Sequence, residues 1–122
     1  MVYFLTNLIV SDNTGVRLVQ CIKILSGSNR LVAKPGDCLV VVVKRVDPQS
    51  QKITRGKVCR ALLVYSTRWF KRCVGVWIRF GKNGVVLINS RKAPVAKRLR
   101  GPMLKEICFR YNFIGTLSHF LI

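Results

Sequence analysis

Acidic side chains are scarce in this chain. Asp12, Asp37, Asp47 and Glu106 are the four present, against 22 lysines and arginines, for a formal net charge of +18. No fold pairs so many cations internally with so few anions. A polyanion is the expected partner, nucleic acid or an acidic membrane surface. The same scarcity leaves no paired carboxylates for acid–base work. Histidine is scarcer still: His119 stands alone, in Ser118-His119-Phe120, and reads as a surface or packing residue rather than a base or ligand. A phosphate-binding P-loop is missing too, because Gly81-Lys82 runs into Asn83 without the earlier spaced glycine or the closing Ser or Thr. These absences point away from an enzyme, and no cofactor is expected.

Other shortages narrow the class further. No stretch approaches the roughly 18–20 apolar residues that span a bilayer, and no basic amphipathic helix suited to a membrane surface is present. No membrane partner is therefore expected. Met1 to Val10 is apolar but has neither a basic head nor a small-residue cleavage site, and reads as the mature beginning of a soluble protein. Cysteines stand at 21, 38, 59, 73 and 108, an odd number with no Cys-x-x-Cys pair. That excludes a disulfide framework and a zinc knuckle, and leaves small buried or half-buried side chains in a reducing compartment.

What is present is a folded body. Of the 122 residues, 50% are apolar, enough for one domain with a sizeable core. The cations are interleaved with apolar runs from Lys44 to Arg110, unlike a disordered basic tail. The chain reads as strands separated by turns. Leu5 to Val10 is the first strand, with Leu8 and Val10 on one face, and Ser11-Asp12-Asn13-Thr14-Gly15 is a turn in which Asp12 serves the backbone. Val16 to Leu25 follows, with Arg17 and Lys23 facing out. After the Ser26-to-Asn29 loop, Leu31 to Lys34 extends a ribbon and Pro35-Gly36-Asp37 turns. Cys38 to Val46 holds the continuous run Leu39 to Val43 and reads as the most buried strand.

The stretch from Arg60 to Asn89 organises the rest. It reads as strand, basic-aromatic loop, strand, Gly81-Lys82-Asn83-Gly84 turn, strand. Val76 and Ile78 are expected to face a core, with Trp77 and Arg79 facing a phosphate or a base. In the loop, Arg68, Lys71 and Arg72 flank Trp69 and Phe70, a mixture suited to RNA because guanidinium groups pair with phosphates and rings stack on exposed bases. Lys52-x-x-Arg55-Gly56-Lys57 is a second phosphate-contact pattern. With Arg17, Lys44, Arg45, Arg79, Lys82, Arg91 and Lys92, these residues are the candidate RNA-binding set, with Arg79, Trp69 or Phe70 as stacking partners. From Ser90 to Pro102 the chain is a basic arm. Met103 to Cys108 then reads as a short helix with Pro102 at its first position, and Asn112 to Leu121 as a second. The division expected is a barrel over 1–89, then arm and helices over 90–122, in one domain.

Four blocks in order along nearly the whole chain carry a family likeness. They are Asp12-Asn13-Thr14-Gly15-Val16-Arg17 with Cys21-Ile22-Lys23; Gly36-Asp37 before the apolar strand; Ala61-Leu62-Leu63-Val64, Gly75, Phe80, Asn83 and Val86-Leu87; and Gly101-Pro102 with Lys105-Glu106. The chain resembles the universal large-subunit ribosomal protein L-fourteen family in its bacterial and organellar form. Val74 departs from the Asp, Asn or Ser usual before that glycine, and Phe109 to Ile122 diverges. The resemblance implies an all-β fold, a small closed five-stranded barrel with ribbon extensions and one or two short C-terminal helices. It implies a structural role in the large ribosomal subunit and contacts with large-subunit rRNA and neighbouring ribosomal proteins. It also implies contact with small-subunit rRNA across an intersubunit bridge, and with a ribosome-silencing factor. Lys97, Arg98, Arg100, Lys105 and Ser118 would serve the bridge or factor contact. The alternative is a free-standing OB-like single-stranded RNA-binding regulator or chaperone. High Val, Leu and Cys usage with few acids suggests an organelle-encoded mitochondrial protein, the alternatives being bacterial cytoplasm or plastid.

Overall fold

The computed structural model describes residues 2–27, 31–49, 53–118 and 120–122. Five strands close a barrel: β1 (Asn7–Val10), β2 (Val16–Ile24), β3 (Cys38–Val46), β4 (Val58–Tyr65) and β7 (Gly84–Ile88). The fold is the small closed five-stranded β-barrel with two short helices that the resemblance implied. Neighbours pair antiparallel except at the seam, where β1 runs parallel to β7 with Ile9 opposite Gly84 and Val10 opposite Val85. Between β4 and β7 a small ribbon, β5 (Phe70–Lys71) and β6 (Trp77–Ile78), stands off the barrel. Beyond the barrel, β8 (Pro102–Met103) pairs in parallel with β9 (Phe120–Leu121), and between them lie α1 (Lys105–Arg110) and α2 (Asn112–Leu117).

Two apolar clusters hold this together. Leu8, Val19, Val41, Leu63, Val85 and their neighbours fill the barrel interior. Leu62, Val64, Val86 and Ile88, pointing outward from β4 and β7, form the second cluster with Leu99, Met103, Leu104, Ile107 and Ile114. The C-terminal helices are therefore held by packing, as helices of six residues must be. Every residue of β7 is buried. At Gly84 an added Cβ would sit 2.6 Å from the Tyr65 ring and 3.3 Å from the Ile9 carbonyl, so only glycine lets β7 approach the seam and Tyr65.

Several expectations change. β3 is not the most buried strand: Val40 and Val42 are half-buried, because among the described residues neither joins a cluster on the outside of the barrel, whereas β7 and the Ala61-to-Tyr65 part of β4 are buried throughout. Leu31 is exposed, and Ala33 makes an isolated bridge to Val2 in place of a ribbon. Pro102 lies in β8, not in a helix, because the Met103 carbonyl accepts from the Ile122 N–H, the Lys105 N–H donates to the Ile122 carbonyl, and α1 begins only at Lys105. The second helix stops at Leu117, where Ser118 turns extended. The basic arm is not loose. Arg100 N–H donates to the Ser11 carbonyl, Val95 N–H to the Leu87 carbonyl and Arg98 N–H to Asn13 Oδ1.

Candidate nucleic-acid interface

All four acids have internal work. Asp12 is buried in its turn. Its Oδ1 accepts from the Thr14 N–H at 3.1 Å and hydroxyl at 2.6 Å, and its Oδ2 accepts from the Leu87 N–H at 3.0 Å. The turn role read for it thus extends to tying the turn to β7. Asp37 is buried and accepts from the Lys34 N–H at 2.7 Å. Asp47 pairs with Arg17 at 3.2 Å, and Glu106 with Arg72 at 2.8 Å. Almost all the cations are therefore left to solvent or to a partner.

The ribbon sorts its side chains by strand parity. Phe70 pairs with Ile78 and Lys71 with Trp77. On the inner face, Phe70, Ile78 and Phe80 pack against the second cluster, and Arg72 reaches Glu106 of α1 and the Ile122 carbonyl. On the outer face stand Trp69, Lys71, Trp77 and Arg79. The Arg79 guanidinium lies 5.1 Å from the Trp69 ring centroid, and Lys71 Nζ 5.7 Å from that of Trp77. These are cation–π distances, and both indoles stay half exposed. The expected split between Ile78 and Trp77–Arg79 holds. Val76, however, is 54% exposed, because the ribbon tip extends past the body that would cover it. Phe70 and Arg72 turn inward, so neither stands where the loop reading put it.

A second group forms at one end of the barrel, where Arg17, Lys44, Arg45 and Arg55 line a groove of about 380 Å³. Lys57, exposed, follows Arg55 through the Gly56 turn, where Gly56 N–H donates to the Val43 carbonyl. Lys52 and His119 lie outside the described residues, as do Ser28, Asn29, Ser50 and Gln51 of the expected loops. Arg68 and Lys82 are exposed at the ribbon base, which Asn83 closes by accepting from the Thr67 N–H at 3.0 Å. Arg91 and Lys92 are exposed on the turn after β7, where Asn89 Oδ1 accepts from the N–H groups of Arg91 and Ala93. Lys97, Arg98 and Arg100 are exposed along the pinned arm and Lys105 on α1, while Ser118 is half-buried at the end of α2.

A model of the ribosomal protein L14p/L23e family matches residues 1–122, the whole chain. The chain belongs to the ribosomal protein L14p/L23e family. It is thus a structural protein of the large ribosomal subunit, its place is the ribosome, and its partners are ribosomal RNA and neighbouring ribosomal proteins. Val74 does not loosen the signature turn of this family member. Gly75 takes φ 87°, its N–H donates to the Arg72 carbonyl at 3.0 Å, and the Arg72 N–H closes on Val76 at 2.8 Å. The Val74 side chain points away, 80% exposed.

Cysteine placement follows the sequence reading except at the ribbon tip. Cys21 and Cys38 are buried, Cys59 and Cys108 half-buried, and all five are free, but Cys73 is exposed. Burial pushes the thiols of Cys21 and Cys108 up from the ordinary value. Among the described residues no helix is long and apolar enough to cross a membrane, and no cluster of His, Cys, Asp or Glu suits a metal ion.

Sequence reasoning missed three cations. Lys34, Arg60 and Arg110 meet Lys92 around a cleft of about 780 Å³ between the barrel and the C-terminal helices. They are scattered along the chain, and none lies in a basic cluster. One signal was available: Arg60 shares the outward face of β4 with Leu62 and Val64.

Proposed function

We propose that this chain holds large-subunit rRNA on a rigid β scaffold by neutralising phosphates. The observation that carries this reading is the division of charge: the four acids are engaged within the fold, and of the described candidate cations only Arg72 is drawn inward. Arg17, Lys44, Arg45 and Arg55 form one phosphate-binding patch, with Lys57 alongside, and Lys52 is assigned to rRNA from its sequence pattern alone. Arg68, Trp69, Lys71, Arg79 and Lys82 form another, where a base stacks on Trp69 or on Arg79. Arg91 and Lys92 form a third. The arm residues Lys97, Arg98 and Arg100, with Lys105, contact small-subunit rRNA across an intersubunit bridge during translation. Lys97 and Arg98, with the segment from Lys105 to Ser118, also receive a silencing factor, and the compartment is the mitochondrion.

With ~6–10 phosphates contacted, affinity for an isolated rRNA fragment falls by about 10³–10⁵ between about 50 and 200 mM salt. A filter-binding titration measures this, and a flat response overturns the phosphate reading. Sucrose-gradient sedimentation of mitochondrial lysate, with mass spectrometry of the fractions, tests the rest. The chain is expected with large subunits. Recovery near the top of the gradient favours a free-standing RNA-binding regulator instead.

A further inference from the structure

The cleft of about 780 Å³ was not assigned by any sequence pattern. Lys34, Arg60, Lys92 and Arg110 line it, and its apolar lining comes from residues such as Phe70, Ile88 and Tyr111. Its volume lies within the range of about 300–1,000 Å³ that small-molecule sites occupy. Asp37, the acid on its lining, is buried with its carboxylate committed to the Lys34 N–H. The Arg110 guanidinium lies over the Tyr111 ring, 5.7 Å from its centroid, so a flat cation backed by a ring stands at the cleft. The Tyr111 hydroxyl lies within 3.4 Å of Cys38 Sγ and of the Gly36 carbonyl, which fixes the ring's position.

The cleft is also continuous with two others. It shares Arg60 and Ile88 with a groove of about 440 Å³ that carries Lys57 and Asn89. On its other side it shares Lys92, Arg110 and Tyr111 with a groove of about 550 Å³ that carries Arg91. Cations thus recur along a path with an apolar recess in the middle. A duplex presents its phosphates outside and keeps its bases stacked within, so it would leave the recess empty. A single strand presents phosphates and can turn a base aside.

We propose that this path binds a single-stranded rRNA segment and that the central cleft takes one unstacked nucleotide, its base against Arg110 and Tyr111 and its flanking phosphates on Lys34, Arg60 and Lys92. This rests on the rRNA-binding reading and adds the strandedness of the RNA and the residues that hold it.

The test uses the full chain and a short oligouridine carrying one 4-thiouridine. Photocrosslinking followed by peptide mass spectrometry is expected to place the modified base on the peptide containing Tyr111. Arg60→Gln and Arg110→Gln are each expected to lower the salt slope of binding by about 0.7, which is about fivefold in affinity at about 0.1 M salt. Both side chains are exposed, and circular dichroism checks that the barrel survives. Binding with unchanged slopes and crosslinks confined to Trp69 or Trp77 overturns the cleft and leaves the rRNA reading standing. Failure of the folded chain to bind either single-stranded or structured rRNA overturns both.

Discussion

Asp12 shows how one residue of an under-supplied type is used. It is 4% exposed, and three donors converge on it, two from Thr14 and one from Leu87 across the barrel seam. Asp12→Ala leaves the Leu87 N–H and the Thr14 hydroxyl without this partner, and is expected to cost about 3 kcal/mol in a urea titration. Tyr111 is a second such residue. Burial, with the neighbouring Cys38 thiol, pushes its phenol up to about 12. A phenol titrating higher in the folded than in the unfolded chain keeps its proton longer when folded. Its contribution is fully present below about pH 10 and is lost as pH rises from there towards 12. Thermal melts across that window are expected to fall more steeply for the natural chain than for Tyr111→Phe. Burial raises the Tyr65 phenol as well, so Tyr111→Phe flattens the fall without abolishing it. The turn role of Asp12 was legible from its Asx-Gly context. Its bond to Leu87 was not, because the two lie far apart in the sequence and meet only at the closed seam.

Among the elements, the ribbon is the informative one. It has two paired positions, too few to persist alone, so its orientation depends on what it leans on. That support is Phe70, Ile78 and Phe80 on the second cluster, with Arg72 clasped to Glu106. The Arg72 side chain is 20% exposed and the Glu106 side chain 40%. A double-mutant cycle on this pair is expected to give about 0.5–1 kcal/mol of coupling. Hydrogen exchange in the ribbon is expected to quicken in Glu106→Gln while the barrel stays protected. Arg72→Gln is expected to leave the salt slope of RNA binding unchanged, since its guanidinium is turned inward onto Glu106 and the Ile122 carbonyl and is largely buried. Alternation along the ribbon strands marked Trp77 and Arg79 as outward from sequence alone. The same parity puts Arg72 inward, but the basic-aromatic loop masked it, because a two-residue strand gives no periodic signal.

At the scale of the whole molecule the charge surplus dominates. A net +18 on a compact barrel repels itself, and the fold supplies few internal anions to offset it. Free of RNA, the chain is expected to melt about 5 °C higher in about 500 mM salt than in about 20 mM, since screening relieves repulsion between exposed cations. Differential scanning calorimetry measures this, and an unchanged or falling melting temperature would show that the cations are internally compensated.

Strand positions, turn residues and the need for a polyanion follow from the sequence, because each rests on neighbours along the chain: alternation, Gly and Asp at reversals, and a count of charges. Which strands are buried twice does not. Leu39 to Val43 and Val85 to Ile88 are equally apolar runs, yet only the second is covered on both faces, because the arm and helices fold back over β4 and β7. The same return of the chain draws Lys34, Arg60, Lys92 and Arg110 around one cleft. Local pattern sets what a segment can be, and the tertiary cover decides which of its faces meet water.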